Sequence, residues 1–576
     1  MGKTVAILGG GIGGLSSAHE LAERGFDVRV FERKSIFGGK ARSIPVPNSA
    51  VEGRQLLPGE HGFRFFPSFY RHVPDSMSRI PFGNNPRGVL DNLVPTTRTV
   101  LARAGAPDLL VCARFPRDRM DWKTALAAGM DFFRLVPFRD LLFYGQRLLV
   151  WLTSCDERRL GEYEHISWWE FTKADGRSEA YRQFFGQGFT RMMVAIRAEE
   201  GSTRTVGAIG LQLGLGLLTH GVDVDSVLAG PTNLMWVDPW VAHLKNLGVR
   251  FESNATVSGI HTDGTRITHV TIQEGGTTHE ITADYYVAAL PVEVMASLLT
   301  DELKKAAPSM ANIGRLRTAW MNGIQFYLGR HAPIVHGHIV YVDSPWALTS
   351  VSQDQFWKSV DLSGFGDGEV KGILSVDISD WDTPGMLYGR PARECDPVEI
   401  KNEVWLQMLA HLDAEGQKQL KDARIMRWFL DPSILYPNPS KAANLEPLLI
   451  NTVGSLADRP EACTEIPNLF LAADYVRSHT DLACMEAANE AARRAVNALL
   501  DRAGSPAPRA AVWPLKEPAI FTRWKQWDRL VYENGHPHSF WKSMCAGLRN
   551  IGRGRRARDR EPRTVRSVPG LNQESP

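Results

Sequence analysis

Six residues near the N-terminus, Gly9-Gly10-Gly11-Ile12-Gly13-Gly14, constrain this chain more than any others. They follow an apolar run, Thr4 to Leu8, and precede Leu15, Ala18 and Ala22 at helical spacing. G-x-G-x-x-G between a buried strand and a helix predicts a phosphate-binding turn. Gly9 permits the tight turn, Gly11 lets the backbone approach a pyrophosphate, and Gly14 lets helix and strand pack closely. Ile12 and Gly13 open the helix, whose free N–H groups and positive dipole end favour phosphate. Gly25 stops that helix, and Asp27 to Glu32 reads as the second, parallel strand. Glu32 lies about 20 residues beyond the glycines, where a carboxylate accepts both ribose hydroxyls and disfavours a 2′-phosphate. Strand, turn, helix, strand and acid together imply a bound dinucleotide.

The chain has 576 residues, more than one hydrophobic core usually serves, so two joined domains are expected. Its net charge of +2 gives no reason to expect nucleic acid. The six cysteines include no CxxC, which fits a reducing, cytoplasmic setting without a zinc site. No secretory signal is read at the N-terminus. After about residue 80 the text becomes rich in proline, arginine and aromatics. From Gly230 short strands return: Val249 to Phe251, Thr256 to His261, Ile267 to Gln273, His279 to Thr282, and Ala283 to Leu290. A last strand, Asn468 to Ala472, and a helix from Met485 to Leu500 complete the pattern. Phe132 to Leu152 is apolar but interrupted by Arg134, Pro137, Arg139, Asp140 and Arg147. It reads as a buried helix pair, the alternative being a monotopic surface in peripheral contact with a membrane. Beyond residue 545 the arginine-rich tail reads as disordered.

Immediately after Glu32 and Arg33 comes Ser35-Ile36-Phe37-Gly38-Gly39-Lys40-Ala41-Arg42. An acid, a short spacer and a second Gly pair followed by a cation resemble the amine oxidase and phytoene desaturase superfamily of flavoproteins. Its Gly-Gly-Lys form resembles the desaturase branch. Three distant segments add to this. Glu60 to Tyr70 (EHGFRFFPSFY) is similar to the desaturase segment beside the flavin, with Arg64 where that family has histidine. Thr256 to Ile260 resembles the strand whose valine backbone meets the adenine, which marks Val257. Asn468 to Tyr475 resembles the Leu-Ala-Gly-Asp strand end, so that Asp474 accepts from the ribityl chain. Met485 then opens a helix directed at the flavin. Ala473 and Ala487 stand where that family usually has glycine.

The resemblance implies FAD as cofactor. The fold class expected is α/β, a Rossmann-type FAD/NAD(P)-binding domain (1–80, 225–300 and 450–503) interleaved with a substrate-binding domain (81–224 and 301–449). A C-terminal extension (504–545) and a basic tail (546–576) follow. The cofactor residues expected are Gly9, Gly11, Ile12, Gly13, Gly14, Glu32, Arg33, Gly39, Lys40, Val257, Asp474 and Met485. His61 and Arg64 are the catalytic candidates, on proximity to the flavin alone.

His336-Gly337-His338 puts two imidazoles on one strand face without a third ligand, so no metal is expected. Ser478-His479-Thr480-Asp481 contains triad residue types that cannot reach triad geometry from adjacent positions. The leading functional expectation is an FAD-dependent, phytoene desaturase-like oxidoreductase. It would move hydride between flavin and a hydrophobic polyene or isoprenoid, with an unknown electron acceptor or donor. The alternatives are redox-triggered cyclisation of a polyene natural product, an amine oxidase, and a non-catalytic lipid-binding escort of the same fold.

Overall fold

The computed structural model describes residues 2–538 except Glu52, Phe189, residues 192–195, Pro439 and Ser440. The basic tail, 546–576, lies outside the described residues. Two compact units are present: Met1–Leu142 with Tyr163–Lys516, and Phe143–Glu162 with the chain from Glu517.

The larger unit is built on a parallel sheet of five strands among the described residues. β1 (Thr4–Leu8) lies at its centre, beside β2 (Asp27–Glu32) and the strand Tyr285–Ala288. Arg250–Ser253 pairs with β2 and Leu469–Leu471 with Tyr285–Ala288, both in parallel. Strands in an all-parallel sheet are covered on both faces and therefore read as continuous apolar runs. That is why Val-Ala-Ile-Leu and Tyr-Tyr-Val-Ala are buried throughout.

Helix α1 (Ile12–Ala22) starts directly at the glycine turn and buries Leu15, Ala18 and Leu21. Gly25, at φ +81°, ends the turn that follows it. α1 packs against the helix Met485–Ala503, whose facing positions Ala491, Ala492 and Ala495 are small and fully buried. Small residues let the two backbones approach, so both helix N-termini reach the same edge of the sheet. The predicted strands are present with edges shifted by a residue or two, as at Thr256–Thr262, Ile267–Glu274 and Thr277–Ile281.

A second, mostly antiparallel sheet runs in the order Ile425–Leu430, Asn322–Leu328, Gly372–Ile378, Leu348–Ser352, His338–Tyr341, Arg98–Arg103, Ala106–Cys112. Alternation divides its faces. Ile324, Phe326, Leu374, Val376, Leu348, Ile339 and Val100 form one core with Ile400, Val404 and Met408 of the helix Pro397–His411. The opposite face presents Thr99, Leu101, His338, Val340, Thr349 and Asp377.

The stretch Phe132 to Leu152, expected as a buried helix pair, holds parts of two helices that meet at Pro137, but its Phe133, Phe138 and Leu142 are 59–64% exposed. The second helix is Phe138–Thr153, and the first, Arg119–Leu135, begins well before the stretch. Its inner positions are Asp121, Thr124 and Ala128. Trp122, Leu126, Met130 and Phe133, at helical spacing on the other side, remain 51–65% exposed. Among the described residues no helix is long and apolar enough to cross a membrane.

In the smaller unit the buried Arg158 guanidinium meets Asp528 of the helix Thr522–Glu533 at 3.0 Å, under the ring of Tyr532.

Candidate functional site

The two glycine loops are one device. Gly38 N–H donates to Gly10 O at 2.9 Å, and Gly11 pairs with Gly38 as a parallel bridge. A Cβ on Gly39 would come within 2.8 Å of Gly11 Cα, so two backbones meet where only glycines fit. A Cβ on Gly11 meets only Gly39, at 3.5 Å, which leaves Gly11 facing open space. Cβ atoms on Gly13 and Gly14 would overlap the carbonyl oxygens of Ala472 and Gly9 respectively. Gly14 is therefore a packing residue. Gly13, silent in the motif, fastens α1 to the end of the last parallel strand.

Glu32 ends β2 with a buried, fixed carboxylate. Its Oε2 accepts from Gly10 N at 2.8 Å and its Oε1 from Lys34 N at 3.0 Å. Glu446 faces the same loop from far along the chain. Arg42 lies 2.9 Å from it, Arg33 3.4 Å, and Lys34 closer still. Burial works against the ionised Glu446, but Arg42 and Lys34 outweigh it and hold the carboxyl at about 2. Lys40 pairs with Glu293 at 3.2 Å and donates to Pro447 O. Burial raises the Asp474 carboxyl, with Lys40 and Arg459 opposing.

One cavity of about 550 Å³ gathers these groups. Of the residues singled out from the sequence, Gly9, Gly11, Ile12, Gly13, Glu32, Arg33, Gly39, Lys40, His61, Arg64, Val257, Asp474 and Met485 line it, and Gly14 lies behind it. Ala473 also lines it, whereas Ala487 is buried elsewhere. The N-terminus of the helix Met485–Ala503 faces it through Cys484, Met485 and Ala488. Burial, eased by the Ala487 amide and Tyr70, pushes the Cys484 thiol up to about 12, so it stays a neutral thiol.

These features fit a dinucleotide flavin. The gap at Gly11 admits a pyrophosphate. Glu32 is oriented for ribose hydroxyls, and two helix N-termini supply positive ends.

Beyond the glycine loops the cavity continues between Phe63, Phe65, Phe69, Tyr70, Ile209, Leu213 and Met321 and reaches the mixed sheet. His61 is held there by Asp431, with Nδ1 at 2.5 Å from Oδ2. Burial alone would raise the Asp431 carboxyl, but His61, Ser433 and Asn322 keep it well below the usual range. Arg64 donates to Gly62 O at 2.6 Å, Phe63 O at 3.3 Å, Ala41 O at 3.4 Å and Lys40 O. It thereby ties the aromatic loop to the second glycine loop. Burial lowers its pKa, with the Glu60 and Asp377 carboxylates opposing.

His336 and His338 do not share a site. His336 packs on Phe356, whereas His338 sits beside Phe63 and Phe65 with Nε2 2.8 Å from Asp225 Oδ2. Sequence reasoning missed Asp225, His338, Thr349, Asp377 and Glu446 as lining residues. Only the period-two alternation around Asp377 (Ser375, Asp377) signalled that its side chain leaves the apolar face.

Residues 12–500 match the flavin containing amine oxidoreductase family. The chain belongs to that family. Zeta-carotene desaturase of Synechocystis sp. is 25% identical over 316 residues, which is 52% of this chain and 59% of that protein. Carotenoid 3,4-desaturase of Haloarcula japonica is 38% identical over 94 residues, 16% of each chain. These matches thus span less than two thirds of either relative. Cyclohexylamine oxidase from Brevibacterium oxydans superposes with a TM-score of 0.56 at 13% identity, covering 88% of this chain and all of that one, so the two share a fold. Family membership supports FAD as the cofactor.

Proposed function

We propose that this family member removes a hydride from a small organic substrate with a large apolar body, which it holds between the aromatic loop and the mixed sheet. One observation carries the reading. A single cavity joins the glycine cradle, at residues 9–13 and 39, to a wall of Phe63, Phe65, Tyr70, Leu101, Leu213 and Val340. Within the reading, Rossmann-type segments 1–80, 225–300 and 450–503 hold FAD, and segments 81–224 and 301–449 hold substrate. When bound, oxidised FAD supplies the hydride acceptor. The chain supplies orientation and exclusion of water. Arg64 fixes the loop, Glu32 the adenosine end, and the aromatic wall keeps solvent from the reacting carbon.

Two substrate classes fit. The family's own chemistry favours an amine, which raises that alternative above its place in the sequence reading. The cavity carboxylates Asp225, on the strand Asp225–Leu228, and Asp377, on the mixed sheet, support it as partners for an ammonium group. A polyene is supported by two of the curated relatives, the carotenoid desaturases above, and by the outward stripe Trp122, Leu126, Met130 and Phe133. Flanked by Arg119, Lys123, Arg134 and Arg139, that stripe is read as a surface resting on anionic lipid, from which a lipophilic substrate enters.

Anaerobic mixing of the FAD-loaded protein with zeta-carotene in phosphatidylglycerol vesicles, and separately with cyclohexylamine, tests this. Bleaching of the flavin by one of them assigns the class. A chain that cannot be loaded with FAD, or whose flavin neither compound bleaches, overturns the reading.

A further inference from the structure

Asp377 is an acid of the cavity with one carboxylate oxygen left unsatisfied among the described residues. It lies at the end of the strand Gly372–Ile378, is 5% exposed, and lines the cavity. Among the described residues its Oδ1 has no hydrogen-bond partner and its carboxylate makes no ion pair. The side chain fills the space left by Gly62, where a Cβ would come within 2.6 Å of Oδ1. A buried carboxylate with an unpaired oxygen costs stability, and folds retain one chiefly where it has work to do. Burial lifts it to about 7, against the pull of Arg64, the Phe63 amide and His338 and with help from Glu60. It therefore exchanges its proton near neutrality, where a general base works best.

We propose that Asp377 is the proton acceptor for the cation formed when substrate gives up hydride. The proposal rests on the oxidoreductase reading above. One substrate C–H bond breaks and its electron pair leaves with the hydrogen to oxidised flavin, the oxidant. The neighbouring C–H or N–H bond then breaks. For a polyene its electron pair becomes the new π bond, and in both cases its proton goes to the Asp377 carboxylate and later to solvent. For an amine the nitrogen lone pair makes the π bond as hydride leaves, and the N–H pair then becomes the lone pair of the imine, so charge and atoms balance in both cases. The ionisable groups around Asp377 are Glu60, His61 with Asp431, and Arg64 on the loop side, and His338 with Asp225 along the sheet. Each of those carboxylates other than Glu60 has a histidine partner, and Glu60 accepts from Ser43 and Thr232. Asp377 alone among these carboxylates lacks such a partner.

The test needs no natural substrate. N,N-dimethyldodecylammonium imitates the cation on an apolar chain, and dodecane is its neutral counterpart. Binding to the FAD-loaded protein is followed calorimetrically and by the flavin spectrum. Ammonium affinity should rise as pH passes through about 7. It should fall at least about thirtyfold in Asp377→Asn, the usual loss when one partner of a buried charge pair is removed. Dodecane affinity and FAD content should not change in that variant. The infrared carbonyl band of a protonated carboxyl should disappear through the same pH range and be missing in Asp377→Asn. Equal ammonium affinity in wild type and Asp377→Asn, or a protonated-carboxyl band that persists in Asp377→Asn, overturns the proposal. Failure to bind FAD sinks the oxidoreductase reading separately, and the infrared titration still decides the state of Asp377.

Discussion

Gly11→Ala and Gly13→Ala should fail in opposite ways. At Gly11 the backbone is already in a region open to alanine, φ −80° and ψ −171°. The new methyl meets only Gly39 Cα, at an ordinary 3.5 Å. The apoprotein should be as stable as wild type, or more stable by about 0.4–1 kcal/mol, because alanine restricts the unfolded chain. The methyl instead occupies the approach of the pyrophosphate. Losing one charge-assisted hydrogen bond there, worth about 1.5–3 kcal/mol, weakens FAD by roughly ten- to a hundredfold. At Gly13 the methyl would overlap the Ala472 carbonyl, backbone against backbone. Overpacking of this kind costs about 1–3 kcal/mol or more, and here it separates α1 from the end of the Leu469–Leu471 strand. Thermal melts of both apoproteins and FAD titrations by quenching of flavin fluorescence measure the two effects. Wild-type FAD affinity in Gly11→Ala, or a Gly13→Ala apoprotein that melts like wild type, would refute the division of labour between these glycines.

Three further outcomes are expected. Arg64→Met should lower the flavin midpoint potential by on the order of tens of millivolts, at about 30 mV per 1.4 kcal/mol for two electrons. It should also loosen FAD, since four backbone carbonyls lose their donor. A redox titration that gives the wild-type potential would leave Arg64 a tie between loops. Glu446 is depressed from 4.5 to about 2. Its contribution, about 3 kcal/mol at 1.36 per unit, is complete above the unfolded value and lost as pH falls through about 2. Glu446→Gln should remove that part of the acid dependence of the melting temperature, and an unchanged acid profile would refute the pairing. Leu126→Asp should reduce co-sedimentation with phosphatidylglycerol vesicles without changing FAD content. Equal sedimentation would dismiss the outward stripe as a lipid surface.

The N-terminal unit was legible almost to the residue because its determinants are local. A turn, a helix and an acid within one short stretch specify one another. Asp474 and Met485 were marked through resemblance to the family's strand end, and both line the cavity. The substrate wall was not legible, because Thr99, His338, Thr349 and Asp377 become neighbours only through the order of a sheet whose strands come from four separated segments. Glu446 carries no local signal, and its role comes from the cations it meets. The stretch Phe132 to Leu152 misled for a different reason. Apolar periodicity reports that a helix has a greasy side and does not say which side faces inward.

The parallel sheet has a further consequence, for the order of events during synthesis. β1 emerges first but occupies the middle of the sheet, and its second neighbour, Tyr285–Ala288, is made much later. The backing for Gly13, at Ala472, and the helix beginning at Met485 come later still. Until then the glycine loops lie beside an open strand edge, which can template pairing with the wrong chain. Loading with cofactor is thus a closing act of biosynthesis, and a product terminated before Leu469 should be lost to aggregation rather than survive as a weak binder.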